Sequence, residues 1–151
     1  MPRHDPFTGL NFRIEIDGVA VAAFAECSGL SSETDVIEYR EGADRTSTPR
    51  LLPGLTHYGP IVMRRGVTGN RDLWNWRQTL IDGNVQRLNG SVLLLDAEGN
   101  LVVRWNFFEA WPRKWEGPAL RARGNEVAIE TLELAHEGLI RLPKNQLPAG
   151  R

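Results

Sequence analysis

Residues 12–17 read Phe-Arg-Ile-Glu-Ile-Asp, and this strict alternation of apolar and charged side chains constrains the fold more than any other feature of the chain. A period of two places Phe12, Ile14 and Ile16 on one face of a strand and Arg13, Glu15 and Asp17 on the other, so the strand has a dry side and a wet side. Asp17-Gly18 follows at once. A two-residue turn at positive φ matches the twist of paired strands, so this stretch predicts a tight hairpin into a second strand, Val19 to Cys27.

Further strands are expected at 36–40 (VIEYR), at 61–67 (IVMRRGV), and in SVLLLD and LVVRWNFFEAW on either side of an AEGN turn. Near the end, NEVAIETLELAHEGLIRL places Val127 and Ile129 on one face and Leu132 and Leu134 out of phase with them. Either a bulge near Glu130-Thr131 flips the strand, or both of its faces are buried. Between residues 33 and 60 the chain is crowded with proline and glycine and predicts a long excursion rather than a core element. Its leucines, Leu51, Leu52 and Leu55, argue against disorder, so either this domain or a neighbour covers them.

Only one segment carries the helical period. Leu73, Trp74, Trp76, Leu80 and Ile81 fall within one arc at 100° per residue. Asn70 is placed to cap the helix, Asp72 lies in its first turn and Gly83 ends it. Arg77 interrupts the apolar arc and is expected to lay its stem on the core with its head in water. The fold class that follows is mainly β: an antiparallel sandwich or barrel of six or seven strands with one inserted α-helix.

At 151 residues the chain suits a single domain, 1–151, with its core at about 10–142 and a flexible tail at about 143–151. Eighteen basic against nineteen acidic side chains give no global attraction to nucleic acid or an anionic membrane. Cys27 is the one cysteine, which excludes an internal disulfide and a multi-thiolate metal cage. No stretch has the apolar length of a membrane span, and the N-terminus MPRHDPFTGLNF lacks a secretory apolar run, so export would use another route.

Chemistry finds little support in the residue pattern. His4, His57 and His136 lack metal-ligand spacing. Glu130, Glu133 and Glu137 read as solvated or interfacial charges, and GLSS at 29–32 reads as a turn rather than a nucleophile elbow. Gly66 to Asn70 lacks the lysine and hydroxyl of a phosphate loop, and Cys27 has no cationic neighbour in sequence to activate it. The stretch FFEAWPRKWEGP, with Trp111, Arg113, Lys114 and Trp115, could stack single-stranded nucleic acid, but a near-neutral chain offers too little charge for such a groove. Tryptophans anchoring a core edge or a subunit interface fit better. No catalytic, metal or cofactor residue is assigned; a small-molecule-binding barrel and a β-rich hydrolase are the rival classes.

Five segments in order, CSGLSSETDVIEYREG, LPGLTHYGPIVMRRGVT, LWNWRQTLIDG, FFEAWPRKWEGP and GNEVAIETLELAHEGLIRL, resemble the tail tube proteins of contractile phage tails and of phage-tail-like extracellular injection particles. The similarity covers about residues 10–142. It implies a fold related to the haemolysin-coregulated tube protein of type VI secretion, hexameric rings, and stacking of rings into a hollow tube inside a sheath. It further implies a structural role without catalysis or cofactor, and as partners the sheath, the baseplate with its tube initiator, a terminator cap and a cargo in the lumen. Assembly would take place in the producing bacterial cytoplasm, as part of a phage tail or a released particle. The excursion at 40–60 would reach neighbouring subunits and the next ring. Expected contacts between subunits or rings are Tyr39, Arg40, Leu51, Leu52, Leu55, Trp111, Trp115, Leu132 and Leu134; Arg13, Glu15 and Arg104 are expected to line the lumen. The short N-terminus favours the main tube subunit over the initiator paralogue at the baseplate.

Overall fold

The computed structural model describes residues 11–17, 24–43, 48–124 and 126–143. Within them lie nine strands and one helix: β1 (Asn11–Ile16), β2 (Glu26–Ser28), β3 (Ser32–Tyr39), β4 (Arg50–Tyr58), β5 (Ile61–Gly66), α1 (Asp72–Ile81), β6 (Leu88–Leu95), β7 (Leu101–Glu116), β8 (Ile129–Ala135) and β9 (Gly138–Pro143). One sheet runs β1-β6-β7-β8-β5-β2 with β9 added on β7, and β3 and β4 form a separate two-stranded ribbon. The mainly antiparallel β class with a single inserted helix is therefore what the chain forms.

The sixteen residues of β7 organise the molecule. Its first part pairs with β6 on one side and β9 on the other, while Trp111 to Glu116 pair with β8. The strand thus leaves one layer and enters a second. At the corner Glu109 takes φ 55°, its amide donates to Asn89 Oδ1 at 3.0 Å, and the register against β6 shifts between Leu88 and Gly90. These are the marks of a bulge that bends a strand between sheets. Gly90 is required there, because a Cβ would strike the ring of Phe107 and the carbonyl of Glu15.

Between the layers lies a core of Ile14, Ile16, Ile61, Met63, Val92, Phe107, Ala110, Leu132 and Leu134, closed by Leu73 and Trp76 of α1. The N-cap is Arg71, without a side-chain cap hydrogen bond, rather than the expected Asn70, which lies one residue earlier and whose Oδ1 accepts the Asp72 amide at 2.8 Å. Gly83 at φ 96° ends it, with the Gly83 and Asn84 amides donating to the Leu80 and Thr79 carbonyls, a Schellman arrangement. The apolar arc is narrower than its periodicity suggests. Ile81 is 60% exposed, and Trp74 sits at the rim, edge-on to Trp115 at 4.7 Å between ring centres. Arg77 is half-buried, and its Nη1 donates to the Pro112 carbonyl at 2.9 Å, which pins the helix to β7.

Three other expectations change. Leu132 and Leu134 are 3% and 0% exposed, so they belong to the subunit's own core and offer no surface to a neighbour. Their strand contains no bulge: β8 runs in continuous register with β5 from Ile129 to Leu134, and Val127 lies before it, exposed. The irregularity sits instead on β7, between Pro112 and Lys114. The excursion, finally, contains a regular strand, because Pro53 and Gly54 fall where the β3–β4 register shifts and a ladder N–H is dispensable.

Among the described residues β1 pairs with β6 and β2 with β5. Gly18 and the rest of the expected turn to residue 23 lie outside the described residues, as do His4 and the tail beyond Pro143.

Candidate functional site

The β3–β4 ribbon stands away from the core. Every residue of β3 is exposed, and Val36, Ile37, Tyr39, Leu51, Leu52 and Leu55 present apolar surface to solvent. The register pairs Ile37 with Leu52 and Tyr39 with Arg50 on one face, and Val36 with Pro53 and Glu38 with Leu51 on the other. The distal half of the ribbon is therefore apolar on both faces. Its proximal half is polar, with Thr34 bonded to Thr56 at 3.0 Å and His57 facing Asp35 at 2.9 Å. A free two-stranded ribbon is marginal in water. At its root the two ring nitrogens of His136 face the carbonyl oxygens of Gly138 and Gly59, each at 3.0 Å, which ties the ribbon to the β8–β9 turn. Tyr39, Arg40, Leu51, Leu52 and Leu55 are thus brought together on one projecting element.

A second surface is the face of β1, β6, β7 and β9 turned away from the core. Cross-strand register lines up Arg13, Leu93, Arg104 and Leu142 in one row, and Glu15, Ser91, Asn106 and Ile140 in the next. Arg13, Glu15 and Arg104, expected on a wet face from alternation alone, share this one. Arg13 and Glu15 approach to 3.6 Å. The outer edge of β1 and the outer edge of β9 bound this four-stranded layer, and neither has a strand partner among the described residues.

A projecting ribbon with exposed apolar residues, and a sheet layer with two unpartnered edges and a mixed polar and apolar outer face, describe a subunit built for assembly, and comparison with known proteins agrees. The family of the T4-like virus tail tube protein gp19 matches residues 8–140. The chain belongs to this family. The tube protein resembles a chain in the sheath-tube complex of the extracellular contractile injection system PVC in its extended state (25% identity, TM-score 0.82, 91% of this chain and 92% of that one). It also resembles a chain in the baseplate of the anti-feeding prophage (25% identity, TM-score 0.84, 95% and 100%). Likeness to Hcp1 from Flavobacterium johnsoniae (19% identity, TM-score 0.57, 86% and 93%) shows the shared fold. No curated protein sequence matches the chain.

Trp115 of the tryptophan segment anchors an edge of the subunit's own core. Trp115 packs on the core and donates Nε1–H to Glu130 Oε2 at 3.2 Å, Trp111 is half-buried, and Arg113 and Lys114 pair with Glu133 and Glu116. Their charges are compensated, which leaves no cationic stacking platform. Glu137 meets Arg87 at 3.5 Å. Glu130 is the exception to the expectation of solvated carboxylates. It lies inside the fold, 2.6 Å from Nε of Arg65, whose Nη2 also donates to the Asn70 carbonyl at 3.4 Å. A signal for this pair exists in the sequence: Ile61, Met63 and Arg65 share one face of β5, and Glu130, Leu132 and Leu134 share one face of β8, so each ion continues an apolar stripe.

Cys27 lines a largely apolar cavity of about 310 Å³ with Phe12, Leu30, Val92, Leu94 and Trp105. Burial pushes its thiol up to about 11. At pH 8 the folded tube protein should therefore react with a thiol reagent about a hundredfold more slowly than the urea-unfolded chain, since the thiolate is the nucleophile. Absorbance of the released chromophore measures both rates; equal rates would contradict the assigned environment.

Proposed function

We propose that six copies of this tube protein close into a ring through the edges of β1 and β9, and that rings stack through the β3–β4 ribbon into a hollow tube. The observation that carries this reading is the four-stranded layer with two open edges and one polar face. Unpaired edges are an aggregation liability unless another strand meets them, and a closed ring meets both of these. Six subunits contributing four strands each make a cylinder of about 24 strands. Since barrels of about 16–18 strands already enclose an aqueous channel, this one is wide enough for cargo. The polar face then lines the bore, and the ribbon, apolar on both faces, is covered by copies in its own ring and the next.

In this reading the whole chain, 1–151, acts as one structural unit of an injection apparatus without catalysis of its own. Its partners are the sheath, the baseplate with its initiator, a terminator cap and a cargo. Assembly takes place in the cytoplasm of the producing cell, before the particle is complete or released. No helix among the described residues is long and apolar enough to cross a membrane.

The bore is tested by placing cysteine in turn at Arg13, Glu15 and Arg104 in a Cys27→Ser background, and adding a thiol reagent too large to enter the channel. Free subunits should label and assembled tubes should be protected; equal labelling in both states overturns the assignment. The match to a baseplate chain supports an initiator role as well as the main tube role. Electron microscopy separates them: the purified main subunit grows filaments of indefinite length, whereas an initiator stops at single rings.

A further inference from the structure

On the polar face of β1, β6, β7 and β9, two hydrogen-bond donors have nothing to donate to. Arg104 Nε and Asn106 Nδ2 are both shielded from solvent, and neither has an acceptor among the described residues. They stand two residues apart on β7, so their side chains leave the same face. Asn106 is 2% exposed, and its Oδ1 already accepts the hydroxyl of Ser91 at 2.7 Å, which leaves only the amide N–H groups unused. On β1, two strands away across β6, Arg13 has Glu15 beside it, whereas Arg104 has no carboxylate within ion-pair reach among the described residues. A buried donor left unpaired is costly, and here one of the two sits on a fixed charge.

We infer that Arg104 and Asn106 together receive a carboxylate from an acidic polypeptide lying against this sheet face. A carboxylate fits because its two oxygens accept from a guanidinium edge and a neighbouring amide at once. Arg104 remains partly exposed, and its long side chain can swing to admit the acceptor. A nucleic acid fits less well, since a phosphate backbone is held by a succession of cations and this face offers one uncompensated guanidinium with Glu15 nearby. The inference rests on the tube reading for its setting: if this face lines the bore, each ring presents six such sites at one height and selects acidic segments of a cargo by repeated weak contact.

The test uses dilute folded subunits and a fluorescent all-glutamate peptide, with binding followed by anisotropy. Saturable binding is expected, absent with an all-glutamine peptide and lost at high salt. Arg104→Met should weaken it about tenfold or more, Arg104→Lys less, and Asn106→Leu in the same direction; Arg87→Met, on an ion pair elsewhere, should leave it within about twofold. Thermal melts matching wild type confirm that the variants are folded. No binding, equal binding of the glutamine peptide, indifference to Arg104→Met, or tighter binding of oligo-deoxythymidine would each overturn the carboxylate site. Because free subunits are used, these results are independent of the cysteine labelling of tubes, which alone decides whether the face lines the bore.

Discussion

Leu52→Asp stops tube growth and leaves a folded subunit. Leu52 lies on the distal ribbon, beside Ile37 across the β3–β4 pair, 38% exposed and outside the core cluster. Its replacement therefore removes nothing that holds the isolated subunit together. In the proposed stack the same position is covered, and an unpaired carboxylate there would cost several kcal/mol of desolvation at every copy. Since each 1.4 kcal/mol is a factor of ten in association, the concentration needed for growth should rise about a hundredfold or more. Sedimentation and negative-stain microscopy measure the tubes, and circular dichroism with a thermal melt measures the subunit. Tubes of normal length at the wild-type concentration would remove the ribbon from the stacking interface.

Glu130→Ala is expected to remove a large part of the subunit's stability. Arg65 is 4% exposed, and Glu130 sits directly opposite it in the β5–β8 register. Removing the carboxylate leaves a buried guanidinium with the Asn70 carbonyl at 3.4 Å, and deprives Trp115 Nε1 of its acceptor. Breaking one side of a buried pair costs about 3–5 kcal/mol. Against a typical total of about 5–15 kcal/mol this is a large fraction, and a fall in Tm of about 10 °C or more is expected. The double variant Arg65→Leu, Glu130→Leu should recover much of the loss, because no charge remains to be buried. Urea unfolding of the three proteins checks the order. A single variant within about 1 kcal/mol of wild type would show that water reaches the pair and the burial is overstated.

This pair also marks where sequence patterning is least informative. Arg65 and Glu130 each continue an apolar alternation, which is a local signal, yet charged residues in strands are ordinarily solvated and the pattern does not say which ion meets which. Their opposition is a property of the β5–β8 register, which joins residues 65 positions apart. Leu132 and Leu134 show the reverse error. They are out of phase with Val127 and Ile129 in the sequence, but the strand begins only at Ile129, and the buried phase is set by Leu132 and Leu134 themselves. The ribbon falls between these cases. Its exposed leucines were legible, while its strand character was hidden by Pro53 and Gly54, whose effect depends on where the partner strand shifts register.

Alternation along 12–17, the single helical period with its Gly83 stop, and the ordered tube-like segments determined fold class and family from the sequence alone, because those features depend on contacts between near neighbours in the chain. Only the tertiary structure decided which polar face Arg13, Glu15 and Arg104 share, which leucines are core and which project, and that two donors on that face lack acceptors. Each of those outcomes depends on strand register, and a shift of one residue exchanges the two faces of a strand while leaving its composition unchanged.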